Sequence, residues 1–257
     1  MKTEKHENQI DTAELDSLNH SFSDADPQKI IIWALNKFQS KISFACSFGL
    51  EDVYLIHLFS EIGYFPRIFF LDTGRLHPET YNTVDAIRNH YQISIETWLP
   101  NQDQVQMMTR NFGYNQMYQS IESRKECCRI RKIQPLNQAL KNQQAWITGL
   151  RKEQSTTREK SKILEYDYQH NHITKINPLI NHTSDQIWRH IKRHKIPYNS
   201  LHDHNFPSIG CAPCTRATLP GEDIRAGRWW WEDQDSKECG LHDRKDRNIS
   251  KHNGGKI

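Results

Sequence analysis

No run of about 18 apolar residues occurs in these 257 residues, which argues against a membrane-spanning helix. The opening stretch Met1-Lys2-Thr3-Glu4-Lys5-His6-Glu7 is polar and lacks the apolar core of a secretion signal, so a cytoplasmic location is the default expectation. A strong charge imbalance is also missing. Thirty-four basic against 31 acidic residues leave +3, too little to argue for a nucleic-acid partner. Apolar residues make up only 36%, and no internal repeat is visible, so we expect one large or two small soluble domains. Cysteine is not scarce. Six occur, at 46, 127, 128, 211, 214 and 239, and in a reducing compartment they read as metal-binding or catalytic before they read as disulfides.

Residues 1–23 show no sustained periodicity and read as loose or partly helical chain, and 1–25 is taken as a polar lead-in. Asp26-Pro27 reads as an N-cap with proline at the first helical position, opening a helix through Ile30, Ile31, Ala34 and Phe38. Ile42-Ser43-Phe44-Ala45 reads as a strand that runs into a small-residue loop at 46–52 and then a helix through Val53, Leu55, Ile56 and Phe59. A strand, a glycine-containing turn and a helix present free backbone N–H groups, an anion-cradle geometry. The pattern repeats with Arg67-Ile68-Phe69-Phe70-Leu71, the loop 72–75 and a helix opened by Pro78. Further strands are expected at 94–98, 145–148 and 173–176, and Thr183-Ser184-Asp185-Gln186 is a capping box for a helix ending near His194. Such alternation predicts an α/β fold, a mainly parallel sheet with helices on both faces and ligands beyond the strand C-termini. Pro197, Pro207, Pro213 and Pro220 punctuate irregular chain. The main domain is therefore set at 26–215, followed by a mobile tail at 216–257.

Cys211-Ala212-Pro213-Cys214 places two thiols on one side of a tight turn, a soft-metal claw, and the adjacent Cys127-Cys128 lie 211 − 128 = 83 positions upstream. Neighbouring helical residues diverge by about 100°, so Cys127 and Cys128 reach one small ion only with strain. A larger iron–sulfur cluster, with separate corners, is favoured over zinc on that ground, and four unliganded thiols are the third reading. If 124–132 is helical, Arg124, Cys128 and Lys132 share a face. Cys239 stands alone between Lys237 and His242, where positive charge favours thiolate; the plain alternative is a leftover exposed cysteine. Arg225 and Arg228 could grip phosphate or sulfate oxygens, or be solvated charges. Trp229-Trp230-Trp231 reads as a packing anchor, Cys46 as a core or loop residue, and His190 with His194 as solvated surface.

These residues together resemble the bacterial assimilatory, thioredoxin-dependent adenylylsulfate (APS) reductases, from Ile42 to His242. The motifs that carry the likeness are Ser43-Phe44 with Gly49-Leu50-Glu51-Asp52, Leu71-Asp72-Thr73-Gly74-Arg75, Cys127-Cys128, Thr148-Gly149-Leu150-Arg151 with Gln154-Ser155, Cys211-Ala212-Pro213-Cys214, Arg225-Ala226-Gly227-Arg228-Trp229-Trp230-Trp231-Glu232 and Lys237-Glu238-Cys239-Gly240-Leu241-His242. The relatives that reduce the 3′-phosphorylated nucleotide (PAPS) mostly lack the four paired cysteines, so the resemblance points to APS. It implies an adenine-nucleotide alpha-hydrolase-like fold related to pyrophosphatase-loop enzymes. It further implies a [4Fe–4S] cluster on Cys127, Cys128, Cys211 and Cys214, with Cys239 as nucleophile. Lys132, Arg225, Arg228 and His242 would contact the phosphate–sulfate part of the substrate. Ser43, Gly49, Asp52, Leu71, Thr73, Gly74, Gly149, Arg151 and Arg158 would shape the adenosine pocket. The chain departs from many relatives at Leu50, where they carry alanine.

By the same resemblance the reaction is reduction of APS to sulfite and AMP through an S-sulfocysteine, in sulfate assimilation and cysteine biosynthesis. Reduced thioredoxin or glutaredoxin would be the protein partner; no nucleic acid or membrane is implied, and a homo-oligomer is left open. The cluster would act electrostatically, coupled to substrate through Lys132. PAPS reduction, or dual specificity, is the nearest alternative. A tRNA-thiolating sulfurtransferase should carry a Ser-Gly-Gly-x-Asp-Ser loop, whereas this loop has Phe48 and Glu51. A zinc-stabilised binding module without catalysis is the third.

Overall fold

Strands that are apolar on both sides need cover on both sides. The computed structural model, which describes residues 10–155, 158–170 and 172–233, meets that need with eight α-helices and one six-stranded sheet. Along the chain run α1 (Thr12–Ser21), α2 (Pro27–Phe38), β1 (Ile42–Cys46), α3 (Leu50–Ile62), β2 (Arg67–Leu71), α4 (Pro78–Tyr91), β3 (Glu96–Trp98) and α5 (Gln102–Phe112). There follow α6 (Ile121–Cys128), α7 (Gln134–Ala139), β4 (Ala145–Ile147), β5 (Leu164–Asp167), β6 (Ile173–Ile176) and α8 (Ser184–His194). The strand order is β3-β2-β1-β4-β6-β5, parallel except for the antiparallel edge strand β5.

Register sorts the side chains. Phe44 sits opposite Ile68 on one side and Ile147 on the other. With Phe70 and Ile176 they bury one face against Ile31 of α2, Val53 and Phe59 of α3, and Ile187 and Ile191 of α8. The alternate positions, Phe69 and Trp146, pack on the other face against Leu136 and Ala139 of α7. Asp26 caps α2, accepting from the Gln28 N–H at 2.9 Å, and Thr183 and Gln186 form the reciprocal capping box of α8.

Four features differ from the sequence reading or sharpen it. Residues 12–21 form a helix capped by Asp11, and Ile10 and Leu15 join the main core. Strand β5 and helix α5 were not expected. Past Cys128 the chain does not continue as an α-helix: residues Arg129–Ile133 form a π-helical turn, in which the Gln134 N–H reaches back to the Arg129 carbonyl. Pro135 follows it and has no N–H to give, and the widened turn accommodates that gap within one continuous helical run. The even spacing expected for Arg124, Cys128 and Lys132 therefore breaks after Cys128. Residues 216–233 are tied down: the Arg216 N–H bonds the Gly227 carbonyl, Thr215 and Arg228 form a β-bridge, and the Trp229 N–H bonds the Cys214 carbonyl. Among the described residues no helix is long and apolar enough to cross a membrane.

Candidate active site

The C-terminal ends of β1, β2 and β4 open into a cavity of about 240 Å³. Its wall near α3 is set by a strained turn. Phe48 adopts φ 58°, a left-handed conformation unusual for a bulky residue, with its ring buried edge-on to Phe70 at 5.3 Å. That turn aims both the backbone N–H and the hydroxyl of Ser47 at Asp52, donating to Oδ2 at 2.5 and 2.7 Å. Burial pushes the Asp52 carboxyl up to about 7, against the pull of the two Ser47 bonds and with a further push from Glu51. The anion cradle expected at this loop is thus filled by the chain's own carboxyl group. Glu51 accepts from Arg151 Nε at 2.7 Å, and the same guanidinium reaches Glu153. The Gly149 backbone passes so close that a Cβ there would sit 2.3 Å from Asp52 Oδ1, so only glycine fits.

A second stretch of wall is cationic. Arg225, Arg228 and Lys132 all line the cavity. Arg228 stacks over Trp229 at 4.7 Å, and its Nε is buried without a hydrogen-bond partner among the described residues. Trp229 is 1% exposed and takes φ 41°. On its other contact it meets Arg124, also at 4.7 Å, whose guanidinium forks onto Glu232 at 2.9 and 2.7 Å. The packing role expected for the tryptophan run belongs mainly to Trp229, since Trp230 is exposed.

Lys132 and Trp229 also line a second, smaller cavity, and around it lie Cys127, Cys128, Cys211 and Cys214, all buried and none in a disulfide among the described residues. Arg75, Arg124 and Arg131 share that lining. Burial pushes the Cys127 thiol up and the Cys214 thiol to about 11. Burial would raise Cys211 as well, but Lys132, the Thr73 hydroxyl at 3.2 Å, Arg228 and Arg131 outweigh it and hold this thiol below its ordinary range. Four convergent sulfurs are a soft-metal donor set, and guanidinium and ammonium groups offset the charge that four thiolates would carry. The residues present fit a [4Fe–4S] cluster on both counts.

Of the residues singled out in the sequence, Gly49, Asp52, Leu71, Thr73, Gly149, Arg151 and Arg158 line the first cavity together with the three cations. Ser43 does not. It is buried near the N-terminal end of β1, away from the strand ends that form the cavity, and its hydroxyl accepts from Arg67 at 3.2 Å. Gly74 is also outside the lining; its φ of 67° serves the turn, which leans on the Arg131 guanidinium. Cys239 and His242 lie outside the described residues. Sequence reasoning missed His202 and the wall formed by Ser208, Ile209, Gly210 and Ile224. It set Cys46 aside, yet Cys46 too lines the cavity.

Comparison with known proteins agrees with this geometry. The phosphoadenosine phosphosulfate reductase domain matches residues 41–217. An adenosine 5′-phosphosulfate reductase of Allochromatium vinosum is 47% identical over 203 residues, 79% of each chain. One from Burkholderia cepacia is 48% identical over 202 residues, 79% of this chain and 80% of its own. The crystal structure of a phosphoadenylyl-sulfate reductase from Candida auris superposes with a TM-score of 0.68 at 24% identity, over 79% of this chain and 97% of that one, which shows the shared fold. The sheet is of the adenine-nucleotide alpha-hydrolase-like type. With the domain match spanning both the strand-end cavity and the paired cysteines, the chain belongs to the phosphoadenosine phosphosulfate reductase family.

Proposed function

We propose that this protein reduces adenylylsulfate to sulfite and AMP in sulfate assimilation, with a thioredoxin or glutaredoxin as the electron-donating partner, in the cytoplasm. The names of relatives at 47 and 48% identity support the substrate. The observation that carries the reading is that Lys132 and Trp229 are common to two cavities, one at the strand ends where such folds bind nucleotides and one ringed by four thiols.

In this reading Cys127, Cys128, Cys211 and Cys214 hold a [4Fe–4S] cluster, whose bound form supplies a compact charge that tunes the cations beside the substrate. Gly49, Leu71, Thr73 and Gly149 shape the adenosine pocket, while Lys132, Arg225, Arg228 and His242 grip the phosphate–sulfate group. The tail carries Cys239. Its thiolate attacks the sulfur of the sulfate group, forming an S–S bond as the S–O bond to phosphate breaks, and the electron pair leaves on AMP. Charge building on that phosphate oxygen is stabilised by the two guanidinium groups and the ammonium. One thiolate of the partner then attacks Cys239 Sγ and expels sulfite; the partner's second thiol closes its own disulfide and restores the Cys239 thiolate. Two thiols are oxidised for each sulfur reduced by two electrons.

The test is to incubate anaerobically purified protein with APS or PAPS and reduced thioredoxin and to measure sulfite. Release from APS, lost in Cys239→Ser, is expected, with iron and acid-labile sulfide in the preparation. Release from PAPS alone would replace the substrate, and iron-free protein would remove the cluster.

A further inference from the structure

Far from the thiols, α3 and α8 bring three side chains to one point. His57 and Glu61 lie one helical turn apart near the C-terminal end of α3, and His194 is the last residue of α8. One donor atom from each lies within 4.8 Å of the others. The imidazoles of His57 and His194 have their centroids 4.4 Å apart, too close for two protonated rings to sit comfortably. His57 Nε2 is 3.5 Å from Glu61 Oε1, is shielded from solvent and makes no hydrogen bond among the described residues.

The partners of these groups point the same way. The Tyr91 hydroxyl lies 3.2 Å from His57 Nδ1, where it can accept the Nδ1–H and leave the Nε2 lone pair facing Glu61 and His194. Gln28 donates to Glu61 Oε2 at 2.7 Å, which holds that carboxylate and turns Oε1 towards His57. His190, stacked on Tyr54 at 4.7 Å, and His90 complete the surroundings from α8 and α4.

We infer that His57, Glu61 and His194 form a binding site for a borderline divalent cation of the zinc class, clamping the C-terminal ends of α3 and α8. Two imidazole nitrogens and one carboxylate oxygen are the donors such ions prefer, whereas magnesium and calcium take oxygen alone. Three protein ligands leave a coordination position for water, and Glu61, 39% exposed at its side chain, marks the open side. The site is independent of the cluster cysteines. At their other ends the same two helices reach the cavity network, because the Ser184 N–H at the start of α8 donates to Glu153 at 2.9 Å and Arg151 joins Glu153 to Glu51.

The experiment uses untagged protein carrying its iron–sulfur cluster, in a Cys239→Ser background that keeps that thiol out of the titration. Zinc chloride is added by equilibrium dialysis and bound zinc is measured. One equivalent beyond the cluster metal is expected, together with a rise in thermal midpoint. His194→Ala and Glu61→Gln should each weaken binding by at least about tenfold and abolish the thermal shift, while His20→Ala, an exposed histidine on α1, should change neither. Uptake that is the same in His194→Ala and Glu61→Gln as in the parent, or no uptake at about 100 μM zinc, overturns the assignment.

Discussion

Two stretches of one cavity wall handle charge in opposite ways. Near α3, the ionic groups are matched within the protein: Arg151 pairs with Glu51 and Glu153, and Ser47 holds Asp52. Near the thiols, Arg228 keeps a buried Nε without a partner among the described residues, and Arg225 and Lys132 line the same wall, Lys132 close to the cysteines. A wall whose charges are matched suits an uncharged nucleoside, and a wall lined by three cations suits an anion. This asymmetry orients the proposed substrate, adenosine towards the first stretch and phosphate–sulfate towards the second.

Four substitutions would break or sharpen that contrast. Arg151→Ala should have the largest effect on folding, about 3 kcal/mol or more, because it leaves the Glu51 carboxylate nearly buried and unpaired; urea unfolding measures it. A stable Arg151→Ala protein would mean that the first stretch is not internally balanced. At the second stretch, Arg228→Ala and Lys132→Ala should each lower kcat/KM by about 10²-fold, some 2.7 kcal/mol, with stability little changed and iron content intact in Lys132→Ala. Near-normal sulfite release would remove the electrostatic role. The smallest effect concerns pH. Asp52 has its folded-state pKa raised from 3.8 to about 7, so the folded protein holds a proton that the unfolded chain has lost. That stability is fully present below about pH 4 and is lost progressively as pH rises through about 7. Asp52→Asn should flatten this part of the stability–pH curve.

How much of this was legible depends on whether the signal was local. Strands β1, β2 and β4 are nearly continuous apolar runs, β6 is bracketed by two isoleucines, and the caps of α2 and α8 are written in adjacent residues, so sequence reading found them. Strand β5 reads Leu-Glu-Tyr-Asp, too mixed to separate from loop, and as an antiparallel edge it buries only Leu164 fully. Helix α5 is mostly polar and buries Met108 alone, so it has too few apolar residues to announce a core-facing element. Within the site, the motif loops after β1, β2 and β4 were readable, whereas His202 and residues 208–210 reach the wall from irregular chain with no pattern to announce them. Ser43 was misplaced for the reverse reason: it belongs to a motif segment but sits near the N-terminal end of β1, away from the cavity. Glu51 and Asp52 were visible as charges, but only the folded pairing with Arg151 and Ser47 showed that they spend the loop's anion-binding capacity internally.

The π-helical turn at Arg129–Ile133 behaves as a phase shifter. It lets the sulfur-bearing helix and the proline-bearing helix each keep the rotation its own neighbours demand, with one surplus residue absorbing the mismatch. Removing a single residue there should yield a longer, more regular helix that is useless, since Lys132 would swing round the axis away from the boundary between the two chambers. At this point in the chain, imperfection of the spiral is what brings the ammonium group to its post.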